Sequence, residues 1–169
     1  MKQFILVLSL IMMMSFTSSC GKKRVSLNPN VAKDITVLSL DGNLPDQTDD
    51  QIEELDRVIT WMNRDIIKNL KRTGFNAVLV KEMKDYKPNM GKLLIIDVEK
   101  FNAGNRAARA FVGFGAGASS LDLSYKLMDE KGAQLTDWKD GVGSSKGGTY
   151  CAQTLNHNAI ERVTILLNK

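Results

Sequence analysis

Histidine and cysteine are nearly missing from this sequence. One histidine and two cysteines in 169 residues leave too few soft ligands for a structural zinc site. A single histidine also gives Ser-His or Cys-His nucleophilic chemistry only one place to stand. Proline is scarce, at three residues, so no stiff Pro-rich linker divides the chain. The apolar run from Phe4 to Phe16 is too short to span a bilayer comfortably as a helix. Charge is close to balanced. The 23 basic and 19 acidic residues give +4, with both signs mixed along the chain, which offers no basic stripe for nucleic acid.

The N-terminus is the most informative part of what is present. Residues 1–19 read as a signal peptide: Lys2, then the apolar run, then small residues. Thr17-Ser18-Ser19-Cys20 resembles a bacterial lipobox, with Thr17 where an aliphatic residue is commoner. That resemblance implies a diacylglyceryl group on the Cys20 thiol, cleavage just before it, and acylation of the new amine. Several acyl chains on one residue anchor stably where one alone does not. Gly21 follows the cysteine, where an aspartate marks inner-membrane retention in many enteric bacteria. Gly21-Lys22-Lys23-Arg24 is basic, unlike the acidic surface-export signals of some bacterial groups. The expected address is the cell envelope, lipid-anchored in the outer membrane and facing the periplasm. With Cys20 lipidated, Cys151 has no partner for an internal disulfide. It is expected to be buried under the last helix.

Residues 20–33 read as the lipidated cysteine and a basic tether, and 34–169 as a single α+β domain. Strands are predicted at 34–40, 76–83 and 92–101, the last with a continuous apolar centre that suggests cover on both faces. In "SSLDLSYKLMD", Leu121, Leu123, Tyr125 and Leu127 alternate with polar residues, the pattern of a half-buried strand. A turn at "DEKG" and the run "AQLTDWKDG" complete a hairpin. Thr48 and Gln51 have the spacing of a capping box. The helix that follows carries Ile52, Leu55, Ile59, Met62, Ile66 and Leu70 on one face and stops at Gly74. A last helix is striped by Ala152, Leu155, Ala159, Val163 and Leu166. The expected fold is a mixed or mainly antiparallel sheet of about five strands, with two helices packed on one face.

Two glycine-rich stretches are candidate sites. In "AFVGFGAGASS", Gly113, Gly115 and Gly117 miss the G-x-G-x-x-G spacing of a dinucleotide loop, and a strand follows them instead of a helix. Ala110 to Ala118 is too short a charge-free run for a membrane span. Two readings stay open: glycines that let backbones approach closely, or a docking surface. Arg106 and Arg109 flank them as candidate partner contacts. The second stretch, 141–149, lies between a strand and a helix. Its Ser144, Ser145, Lys146 and Thr149 form a candidate anion loop, although it lacks the P-loop order. No cofactor motif and no metal-ligand spacing is present. Asp46, Asp49 and Asp50 do not follow a calcium loop and suit a helix start.

"FNAGNRAARAFVGFGAGASSLDLSYKLMDEKG" and the later "DGVGSSKGGTYCAQTLNHNAIERV" resemble a bacterial lipoprotein family catalogued as a domain of unknown function, number 4410 in its series. Phe101, Gly104, Arg106, Arg109, Gly113, Gly115 and Gly117 fill the positions that carry the likeness. The order of elements is also similar to small domains of envelope-assembly lipoproteins, such as activators of peptidoglycan synthases and the periplasmic part of the curli secretion channel. Such likeness bears on fold and not on activity. The function expected is a non-enzymatic, lipid-anchored module that binds an envelope protein. The alternative is a small-ligand or anion-binding lipoprotein using 141–149.

Overall fold

The structure is a computed structural model that describes residues 26–29, 32–42, 44–45, 47–105 and 117–168. Strand β1 (Asp34–Leu40) is followed by helix α1 (Asp49–Thr73) and strand β2 (Asn76–Val80). Two short 3-10 turns, Met83–Asp85 and Pro88–Met90, lead to β3 (Lys92–Asn102). Then come β4 (Ser119–Met128), β5 (Gln134–Ser144) and helix α2 (Gly148–Leu167). The five strands form one sheet in the order β2-β1-β3-β4-β5. β1 pairs in parallel with β2 and β3, while β3-β4 and β4-β5 are antiparallel. The sheet is therefore mixed, and the fold is α+β as expected.

Local chemistry sets the helix ends. The Thr48 side chain accepts the Gln51 N–H, and the Gln51 side chain accepts the Thr48 N–H at 2.9 Å, a reciprocal capping box. Gly74 ends α1 in the left-handed conformation. Leu55, Val58, Ile59, Met62, Ile66 and Leu70 are buried along α1. Each such aliphatic side chain contributes on the order of 1.5–3 kcal/mol when fully buried. Ile52 departs from the expected stripe and is 53% exposed. It sits in the first turn, ahead of Val58, where α1 first meets the start of α2.

The two helices run side by side in the same direction. Val58 lies beside Gly148, and Met62 beside Asn156. Both cover the same face of the sheet, in a core that includes Ile35, Val37, Leu94, Ile96, Leu123, Leu127, Leu155 and Val163. The opposite face is divided. Over β4 and β5 it carries polar groups such as the Lys139–Glu99 ion pair. Over β1–β3 a second, smaller cluster of Leu38, Val80 and Leu93 packs with Tyr86, Met90 and Ile95. The 3-10 turns hold it down: Thr36 Oγ1 donates to the Met90 carbonyl at 3.0 Å, and Tyr86 Oη to the Gly91 carbonyl at 2.8 Å. This is the two-sided cover that the apolar centre of β3 implied.

Part of the segment read as a tether is docked. Leu27 is buried, and its N–H donates to the Thr73 carbonyl at the end of α1. Asn168 follows α2. Its Oδ1 accepts the Asn28 N–H at 2.8 Å, and its Nδ2 donates to the Ser26 carbonyl at 3.0 Å. One side-chain amide thus satisfies both kinds of backbone group, as a neighbouring strand would.

Candidate functional site

The end of the molecule where β3 stops and β4 begins also holds the start of α2. Ser119 is buried, and its Oγ donates to the Ala103 carbonyl at 2.6 Å. The Asn105 N–H donates to the Gly117 carbonyl at 3.0 Å. Cys151 on α2 is fully buried, with its thiol donating to the Ser119 carbonyl at 3.6 Å. Burial pushes this thiol above its usual pKa, which leaves it a poor nucleophile. His157 is exposed on the same helix. The two therefore face different environments, and the expected cover over Cys151 is present. Gly148 sits in the first turn of α2 under Val58 and Phe101: a Cβ there would stand 2.9 Å from Val58 Cγ2 and 3.2 Å from Phe101 Cε2. Of the glycine run, Gly117 has φ of +67° and so requires the left-handed region. Gly113, Gly115, Arg106 and Arg109 lie outside the described residues, as does Cys20.

The 141–149 stretch differs from the loop expected. Gly141 to Ser144 belong to β5, paired with Asp122 to Ser119 of β4. Strand pairing with β4 overrides the loop preference of Gly and Ser. Only Ser145, Lys146 and Gly147 form the connection, and Thr149 is already in α2. Ser144 Oγ accepts the Lys146 N–H at 3.1 Å, and Lys146 Nζ lies 4.5 Å above the Tyr150 ring. The N-cap, Gly147, supplies no side-chain cap to α2. Gly143 to Gly147 also has the G-x-S-x-G spacing centred on Ser145, between a strand and a helix. His157 lies nine residues into α2, about 14 Å along its axis, too far to serve Ser145 as a base.

A groove lies elsewhere, between the edge strand β5 and the outer side of α2. It has a volume of about 520 Å³ and is lined by Trp138, Asp140, Asn158, Glu161, Arg162 and Ile165 among others. Trp138 stacks on Tyr125 with ring centroids 4.8 Å apart, and the Arg162 guanidinium lies 4.9 Å from the Trp138 ring. Asn158 Nδ2 donates to Asp140 Oδ2 at 2.9 Å. The Tyr125 phenol is pushed well above its usual pKa, first by burial and then by the Asp140 charge. Apart from Tyr125 in its alternating strand, none of these residues stood out in the sequence. The available signal was the inward position of Trp138 on a strand, with Asn158 and Arg162 one helical turn apart. Among the described residues, no group of three or more His, Cys, Asp or Glu side chains is placed to hold a metal ion.

A mixed five-stranded sheet with two parallel helices on one face, and β2 and β5 as its edge strands, defines the class as a small α+β domain. The chain belongs to the DUF4410 family, a domain of unknown function, whose sequence profile matches residues 22–154. No curated protein matches it significantly. A point variant of PelC from Paraburkholderia phytofirmans, solved as a dodecamer, superposes with a TM-score of 0.54 at 14% identity, covering 82% of this chain and 93% of that one. A second crystal form of the PelC dodecamer from the same organism gives 0.49 at 14% identity, covering 86% and 96%. A homolog of the neuraminyllactose-binding hemagglutinin from Helicobacter pylori gives 0.42 at 9% identity, covering 88% and 91%. The first of these shows a shared fold.

Proposed function

We propose that this chain is a lipid-anchored, non-enzymatic module of the bacterial cell envelope that works by binding protein, further copies of itself included. The carrying observation is the exposed apolar side chains on its two edge strands, β2 and β5, among the described residues. Edge strands of monomeric proteins are commonly blunted by charge, proline or cover. Here β2 exposes Val78 (43%) and Leu79 (40%), while Leu135 of β5 is 49% and Ile165 of α2 44% exposed. The edges differ from one another, so contact between them is head-to-tail, the geometry that builds a ring where the rotation closes and a filament where it does not. The fold likeness to a protein solved as a dodecamer supports this reading. Arg106 and Arg109 are proposed as contacts for a different envelope protein, since arginine is among the residues most often energetic in interfaces.

The test is the native mass of the full chain extracted from membranes in mild detergent. The expected result is a multimer that falls to monomer in Val78→Lys/Leu79→Lys and in Leu135→Lys, with unchanged melting curves. A monomer at all concentrations, with no cross-linked partner in membranes, refutes the proposal.

A further inference from the structure

The charges of the described residues are segregated between the two ends of the molecule. One end gathers the start of β1, the C-termini of α1 and α2, and the β4-β5 turn, because β1, β3 and β5 run one way and both helices the other. It exposes Lys33, Lys71, Arg72 and Lys131. None of these four forms an ion pair among the described residues. Of the acids at this end, Glu130 is offset by Lys92 at 2.8 Å, while Asp34 and Asp129 keep their charge and are held by neutral donors, Asp34 by Asn76 at 2.9 Å and Asp129 by the N–H groups of Lys131 and Ala133, so the four unpaired cations outnumber two uncompensated carboxylates. The opposite end exposes Asp41, Asp49, Asp50 and Glu53 against Lys81, Lys100 and Lys146, with Glu82 and Lys84 paired to one another beside Lys81. Helix dipoles account for Lys71, Arg72, Asp49 and Asp50, but Lys33 and Lys131 lie on no helix.

The basic end is also where the chain enters. Leu27, Asn28 and Ser26 are fixed there by Thr73 and Asn168. Cys20 lies six residues before Ser26, a reach of at most about 20 Å of extended chain, and Lys22, Lys23 and Arg24 lie between. We propose that this basic end is a membrane-docking face for anionic lipid headgroups, held toward the bilayer by the Asn168 clamp, with the acidic end pointing away. The inference rests on the lipid-anchor reading. Basic residues beside a membrane each add attraction to anionic headgroups, and the tether lets the domain settle against the bilayer, inside the roughly 10 Å over which that attraction acts.

The test uses the full-length protein reconstituted in phosphatidylcholine vesicles containing phosphatidylglycerol, with a fluorophore at Lys131→Cys or at Asp50→Cys and a quencher in the lipid. Strong quenching at position 131 and weak quenching at position 50, the difference collapsing in Lys71→Glu/Arg72→Glu, is the expected result. Equal quenching, or stronger quenching at position 50, overturns the docking face. Acyl labelling of the same preparation checks the anchor separately. If Cys20 carries no acyl group, flotation of that full chain decides the surface. Preference for anionic vesicles, lost about tenfold in Lys71→Glu/Arg72→Glu/Lys131→Glu, upholds it; no such preference refutes it.

Discussion

Asn156 of α2 reaches across to Asp65 of α1, its Nδ2 donating to Asp65 Oδ2 at 3.0 Å and to the Met62 carbonyl at 2.9 Å. Asp65 Oδ1 accepts from Asn69 at 2.7 Å, so both carboxylate oxygens are engaged. Asn156 is fully buried in a helix contact that is otherwise mainly apolar. Such a pair fixes how far one helix slides along the other, which apolar contact does loosely. Asn156→Ala should cost about 1–3 kcal/mol. Asn156→Asp should cost more at pH 7, because it sets a second carboxylate against Asp65, and the loss should ease in acid as one carboxyl takes a proton. Urea denaturation at pH 7 and pH 5 reads both effects.

Two glycines separate a conformational requirement from a packing one. Gly117→Ala places a Cβ at φ +67°, and should lower stability by about 1 kcal/mol or more. Gly148→Ala gains up to about 1 kcal/mol of helix propensity, yet its Cβ meets Val58 and Phe101 in a closed core. We expect a net loss on melting. Adding Val58→Ala to Gly148→Ala should cost less than the two single losses together, because the first makes room for the second.

Much of the frame was legible from short-range rules. Thr48 and Gln51 name the start of α1, Gly74 its end, and the alternation from Leu121 to Leu127 names β4 and its buried face. What was hidden depends on partners distant in sequence. The Gly and Ser residues at 141–144 look like loop until β4 supplies hydrogen bonds. Ile52 fits the periodic stripe, but α2 does not reach its turn. Leu27 and Asn168 are 141 positions apart, and no local pattern reports that they meet at one end. The β5-α2 groove is built from Trp138, Asp140, Asn158 and Arg162, each ordinary in its own segment. Arg106, Arg109, Gly113 and Gly115 fall outside the described residues, so of that stretch only Gly117, with its positive φ, can be compared with its reading as a backbone glycine.

Alkaline pH should destabilise the fold. Burial raises the pKa of both Cys151 and Tyr125. In the unfolded chain these groups lose protons near about 8.5 and 10, while the folded protein retains them. The unfolded state then binds fewer protons, so stability is complete below about pH 8.5 and falls as pH rises above it. Cys151→Ala with Tyr125→Phe should flatten that slope. The Tyr125 hydroxyl has no hydrogen-bond partner among the described residues, so Tyr125→Phe alone should leave stability at pH 7 equal or higher. Melting temperatures from pH 7 to 11 provide the comparison.

Cys20→Ser should abolish acyl labelling and stop signal cleavage, leaving a larger precursor. Labelling with an alkyne fatty acid and the mass of the processed chain measure this directly. A variant that is still processed and held by membranes would remove the anchor from the proposed function. Cys151 should not substitute, since it is fully buried; native protein should alkylate slowly and run as a monomer on non-reducing gels.

The place of β1 in the sheet has a consequence in time. It is the first strand among the described residues yet lies between β2 and β3, so neither neighbour exists when it is made. β3, β4 and β5 need only short closures to pair in order, steps of about microseconds for a hairpin. β1 must wait across α1 for Asn76 and across the 3-10 turns for Lys92, and non-local parallel pairing is the slower event. The antiparallel half should thus assemble early and the β1 slot close late. Substitutions at Leu123 should then slow refolding, while those at Val37 should chiefly hasten unfolding, a division that the two arms of a denaturant rate plot display.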